Sequence, residues 1–150
     1  MIRFRYELGG VGWASATLSD GRSEATFPAS YLSDALRDFV DAVHGLFTTD
    51  TAEVRWDEEP GAVLWEFQRN GSRVFIRVRW HDGRESFEGD EDLLRFGSDV
   101  GTQLENLLFT WGADGYAKHW HHPFPQEAHE KLKHALNAAR QRRGKAGQNP

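Results

Sequence analysis

The chain has 150 residues, 39% of them hydrophobic and 13% aromatic, with six Trp and ten Phe, enough apolar material for one core in one domain. It contains no cysteine, which excludes a disulfide framework, a thiolate zinc site and a thiol nucleophile. The net charge of −5 is unevenly placed: residues 1–129 hold twelve basic against twenty-two acidic side chains, while from Lys131 onward there are six basic and none acidic. An acidic body argues against a nucleic-acid surface, whose affinity comes mainly from neutralising phosphates.

Residues 2–8 alternate Ile2, Phe4, Tyr6 and Leu8 with Arg3, Arg5 and Glu7, the pattern of a half-buried strand. This alternation begins at once, so no signal peptide is expected. No apolar run approaches the ~20 residues of a membrane span, and a cytoplasmic location is the simplest expectation. Gly9-Gly10 turns the chain into a strand over 11–19 that carries Trp13. Asp20-Gly21-Arg22 is a hairpin signal, and a third strand is expected to end at Phe27 with Pro28 closing it.

A first helix follows, with Ser30 or Ser33 as its cap and Tyr31/Leu32, Leu36, Phe39/Val40, Val43 and Leu46/Phe47 at helical spacing. Residues 52–57 read as a strand with Ala52, Val54 and Trp56 on one face, and Asp57-Glu58-Glu59-Pro60-Gly61 as a turn. Strands over 62–69 and 73–80 flank Asn70-Gly71, the strongest hairpin signal in the chain. Asp82-Gly83-Arg84 then turns into a short strand through Phe87.

The acidic stretch 88–92 reads as a loop before a second helix, capped by Ser98 and burying Val100, Leu104, Leu107/Leu108 and Trp111, with Gly112 to Gly115 loosening or ending it. Pro125 opens a third helix, whose apolar face is Ala128, Leu132, Ala135/Leu136 and Ala139. Residues 1–143 thus form one α+β domain, and 144–150 are expected to be a disordered tail.

The expected architecture is a mainly antiparallel sheet of six to seven strands with three helices on one face. Shifting the chain by 62 aligns Gly9 with Gly71, Asp20-Gly21-Arg22 with Asp82-Gly83-Arg84, Leu32 with Leu94, and Leu46-Phe47-Thr48 with Leu108-Phe109-Thr110. These eight identities suggest two βββα repeats, joined by the strand at 52–57 and followed by the third helix.

No nucleophile elbow, P-loop or dinucleotide fingerprint is present, and Gly9-Gly10-Val11-Gly12 sits in a hairpin rather than before a helix. His119, His121, His122 and His129 are the only cluster with metal-ligand potential, but their spacing matches no zinc pattern, so no cofactor is expected. The stretch 88–92 lacks the alternating ligands of a calcium loop. Arg3, Arg5, Glu7, Glu53, Arg55, Glu66, Gln68, Arg77 and Arg79 are expected on one exposed sheet face, with Leu64 and Phe75 as apolar exceptions.

The segments Tyr31-Leu32-Ser33-Asp34-Ala35-Leu36, Val54-Arg55-Trp56-Asp57-Glu58-Glu59-Pro60-Gly61 and Trp120-His121-His122-Pro123-Phe124-Pro125 resemble a family of uncharacterised small proteins from high-GC bacteria. The bias of fourteen Arg to four Lys agrees with such a source. More loosely, the size, acidity and fold type are similar to those of immunity proteins that neutralise bacterial toxins.

The leading expectation is a protein-binding module, of the immunity-inhibitor kind, for a basic partner. Asp57, Glu58, Glu59, Glu88, Asp90, Glu91 and Asp92 are its candidate contact charges. The alternatives are a metal-assisted hydrolase or small-molecule enzyme using His119, His121, His122 and His129, and a homo-oligomeric structural domain, such as a homodimer, pairing through the sheet face or the edge strand. Neither nucleic acid nor membrane is an expected partner.

Overall fold

The computed structural model describes residues 1–84 and 86–148. Seven strands and three helices lie among them, in the order β1 (Arg3–Leu8), β2 (Trp13–Ser19), β3 (Glu24–Ser30), α1 (Ala35–Gly45), β4 (Thr51–Asp57), β5 (Ala62–Asn70), β6 (Arg73–Trp80), β7 (Ser86–Asp92), α2 (Leu93–Trp120) and α3 (Gln126–Gln148). The fold is α+β and antiparallel throughout, but the strands form two sheets, β1-β2-β3 and β4-β5-β6-β7, rather than one. The charged residues expected on a single face are therefore divided between the outer faces of two sheets.

Turn chemistry sets the hairpins. The Asp20 carboxylate accepts from the backbone N–H groups of Ser23 and Arg22, closing β2 onto β3, and these bonds hold it below the usual carboxylate range. Gly71 supplies the left-handed φ of 61° between β5 and β6. Pro28 does not end β3 but lies inside it, opposite Ser15, on an edge strand where a missing N–H is tolerated.

The acidic stretch is a strand, not a loop. Pairing of β7 with β6 carries Glu88 and Asp90 outward beside Arg77 and Arg73, and turns Glu91 into the core. Consequently α2 starts at Leu93 and Asp92 is its cap, accepting from Arg95 N–H at 3.0 Å, while Ser98 sits inside the helix and donates to the Leu94 carbonyl. Likewise α1 starts after Asp34, whose side chain does not cap it. Ser30 is buried in β3, and Ser33 Oγ accepts instead from Asp57 N–H. The glycine signal at 112 marks a break, with φ 70° and ψ 166°, yet helix resumes as far as Trp120. At the C-terminus α3 continues through Gln148, past residue 143.

Two βββα units recur in order, but not in register. A shift of 62 maps β3 onto β7, and maps inward Ala14, Ala16 and Leu18 of β2 onto inward Ile76, Val78 and Trp80 of β6. It fails at β1, where buried Phe4 maps onto outward Glu66. The pair Trp13↔Ser30 would require Phe75↔Asp92, whereas Phe75 faces Asp90. Phe47 is partly buried, whereas its counterpart Phe109 is 94% exposed.

Both sheets turn their apolar faces to a shared core, with α1 and α2 packed into it and α3 laid on both helices. Phe39 of α1 is at its centre. Its ring stacks on Phe4 at 4.9 Å, meets Trp65 edge-on at 4.8 Å, and neighbours Trp56, Phe67 and Phe96. Across the two sheets Phe27 meets Trp65 and Trp80, and Tyr6 meets Trp56. Edge amides of the N-terminal strand are closed by side chains: Glu91 Oε2 accepts from Ile2 N–H at 2.7 Å, and Gln103 Oε1 from Tyr6 N–H at 3.2 Å.

Because Phe39 touches both sheets and α2, Phe39→Ala is expected to cost about 3–5 kcal/mol. Leu36→Ala, at the same helix's margin, should fall in the lower part of the range for its type, about 2–5 kcal/mol. Urea unfolding of both variants checks the ranking.

Candidate functional site

One end of the molecule exposes large apolar side chains that three separate segments bring together. The β1–β2 turn and the first residue of β2 present Val11 and Trp13, the segment after β3 presents Tyr31 and Leu32, and α2 presents Trp111. Val11 and Leu32 are 62% and 56% exposed. Lone exposed hydrophobes are ordinary, but a set of them at one place marks a surface that contacts something.

These segments are held by hydrogen bonds, so the surface is fixed. Gly12 N–H donates to the His119 carbonyl at 2.8 Å, and Tyr31 N–H donates to the Gly12 carbonyl at 2.9 Å. His119 Nε2 donates to the Gly9 carbonyl, and His122 Nε2 donates to the Tyr31 carbonyl at 2.6 Å. Since a carbonyl can only accept, both rings must carry a proton on Nε2. The Trp111 ring lies 4.5 Å from that of His119, and the His121 ring meets Tyr31 edge-on at 5.1 Å.

Two backbone positions make this docking possible. Gly12 has φ 78°, and a Cβ there would come within 2.8 Å of Tyr31 Cδ1, so the ring occupies space a side chain would need. His121, the C-cap of α2, is left-handed at φ 75°, an uncommon conformation for a residue other than glycine, and it aims the ring at Tyr31. Next to this end, a cavity of about 310 Å³ opens between the first turns of α1 and α3 and contains Asp34, Arg37, Asp41, Phe124, Glu127 and Lys131. Arg37 pairs with Asp41 and Lys131 with Glu127, leaving Asp34 with His122 Nδ1 at 3.9 Å as its neighbour. Asp38, in the same turn of α1, has its carboxyl raised by burial and by the charges of Asp34 and Asp41, with Arg37 and His122 opposing.

The histidines considered as metal ligands do not converge. His119, His121 and His122 each hold a different part of the apolar end. His129 is buried between α2 and α3, with Nε2 3.2 Å from Glu105 Oε1. Among the described residues no three His, Asp or Glu side chains are placed to hold a metal ion.

The seven candidate contact charges are dispersed. Asp57, Glu58 and Glu59 belong to the β4–β5 turn, where Asp57 lies near Arg55 and Glu58 near Arg84. Glu88 and Asp90 are on β7, three strand spacings or about 14 Å from β4. Glu91 is buried and accepts from Ile2 N–H and Asp92 N–H, tying the two sheets together. Asp92 caps α2 and receives two hydrogen bonds from Arg143, which help hold its carboxyl low although partial burial opposes them.

Sequence patterning missed the apolar end because it assigned Tyr31, Leu32 and Trp111 to buried helical stripes. One signal was available: in Gly9-Gly10-Val11-Gly12 an apolar β-branched residue stands at the tip of a glycine-rich turn, where it is largely exposed.

Burial lowers the His129 pKa below its usual 6.5, and Lys133 adds to this, while Glu105 and Glu130 oppose it. The unfolded chain therefore takes up this proton first on acidification. The contribution of His129 to stability is complete above about pH 6.5 and is lost as pH falls toward its folded value. His129→Gln should flatten this part of the profile, which thermal melts of both proteins between about pH 7 and pH 5 will check.

Comparison of the chain with protein-family models, curated proteins and solved structures finds no match.

Proposed function

We propose that this domain is a protein-binding module for a basic partner, of the inhibitory kind exemplified by toxin-immunity proteins, and that its apolar end is the contact surface. The observation that carries the reading is the exposure of Val11, Trp13, Tyr31, Leu32 and Trp111 on a frame fixed by backbone and histidine hydrogen bonds. Preorganised aromatic side chains are what protein interfaces use as anchors, since little entropy is lost when they are covered.

Charge supports the choice of partner. The body through residue 129 has ten more acidic than basic side chains, and Asp34, Asp38 and Asp41 flank the apolar end. Such a field speeds the approach of a cationic protein and leaves affinity to the buried contacts. Asp57, Glu58, Glu59, Glu88 and Asp90 then act by long-range steering. Glu91 and Asp92 act by holding β7 and α2 in place.

The test is a reconstituted complex with the protein recovered on the tagged domain from its native cell. Val11→Asp/Leu32→Asp should leave the melting temperature nearly unchanged, both sites being exposed, and weaken binding by roughly 30-fold or more, an anchor residue being worth about 2 kcal/mol. Glu88→Lys/Asp90→Lys should slow association at low salt with little change in dissociation. A partner that binds the Val11→Asp/Leu32→Asp variant as tightly as the parent, or a bound species that is only a second copy of this chain, contradicts the proposal.

A further inference from the structure

Among the buried polar atoms that find no hydrogen-bond partner among the described residues are Tyr6 Oη, Tyr116 Oη and Asp34 Oδ1, beneath the apolar end. Both tyrosines are almost wholly buried, at 2% and 0% exposure. Leaving one such group unpaired costs about 1–3 kcal/mol, and native interiors rarely do so.

The three groups face the first turn of α1 from different elements. The Tyr6 ring of β1 meets Trp56, whose Nε1–H donates to the carbonyl of Ala35, the residue after Asp34. The Tyr116 ring of α2 lies against Phe124, which walls the cavity that also contains Asp34. Asp34 does not cap its own helix; one oxygen turns inward, and the other faces His122. Burial is the largest effect raising both phenols above their ordinary pKa; Tyr116 raises Tyr6 further and the Asp34 charge raises both, so the three groups lie near one another.

We infer that one bound water is an integral part of this fold, accepting from the hydroxyls of Tyr6 and Tyr116 and donating to Asp34 Oδ1. The chemistry selects water. Each phenol is neutral and has a proton to donate, the carboxylate can only accept, and a single molecule must therefore accept twice and donate once. Three hydrogen bonds to otherwise unpaired buried groups are typical of an internal water. The bridge joins β1, α2 and the start of α1, and through the other Asp34 oxygen it reaches His122 and the carbonyl of Tyr31. It does not depend on the domain having a protein partner.

Two measurements on the full chain test this. A crystal structure at atomic resolution should show an ordered water within hydrogen-bonding distance of all three groups. Tyr6→Phe and Tyr116→Phe, which keep the rings, should each lower the melting temperature by about 2–4 °C. The double variant should fall by less than the sum, because the water is already weakened by the first loss. A dry site with direct phenol–carboxylate hydrogen bonds, or Phe variants as stable as the parent, overturns the inference.

Discussion

Everything in this fold is arranged around the insertion of Phe39 between two sheets that do not pair with each other. Among the described residues neither the three-stranded nor the four-stranded sheet has a backbone ladder to the other, so side chains join them. Phe39 supplies the centre, with Phe4 from one sheet, Trp56, Trp65 and Phe67 from the other, and Phe96 from α2 around it. Rings serve this purpose because each covers a large area and has geometric preferences that fix the angle between neighbours. The unusual aromatic content of the chain has a structural explanation before any functional one.

Polar side chains close the seams that the rings leave. Glu91, buried at the end of β7, accepts from the backbone of Ile2 and links the sheets at their junction. Asp92 caps α2 and binds Arg143 of α3, so adjacent carboxylates bind opposite ends of the chain to one place. The histidines do the same at the other end, joining the β1–β2 turn and the segment after β3 to the last turn of α2. Residue types that suggest catalysis or metal binding are here used to hold segments together. The apolar side chains they frame remain partly exposed to solvent.

Much of this architecture was legible in local patterns, and the failures share a cause. Alternation located the first six strands and only the start of the seventh, and Asn70-Gly71 and Asp20-Gly21-Arg22 located their hairpins, because these signals depend only on neighbouring residues. The division into two sheets depends on contacts between Phe4 and Trp65, sixty-one residues apart, which no local pattern encodes. The strand at 86–92 was hidden because four of its residues are acidic, a composition that ordinarily marks a solvated loop. Cross-strand Arg73 and Arg77 neutralise two of them, and the sheet junction and helix cap use the others. Tyr31, Leu32 and Trp111 fit helical spacing and were assigned to buried stripes, since periodicity cannot tell a covered apolar residue from an uncovered one.

The central claim is that the apolar end is a rigid surface, built on the same cooperative unit as the Phe39 core. Native-state hydrogen exchange tests it at single amides. Gly12 and Tyr31 N–H, which donate to the His119 and Gly12 carbonyls, should exchange at the rate of β6 core amides such as Ile76, opening only when the whole domain unfolds. Fast exchange at Gly12 and Tyr31 alongside a protected Ile76 would mean that this end opens independently, and would contradict a preorganised binding surface.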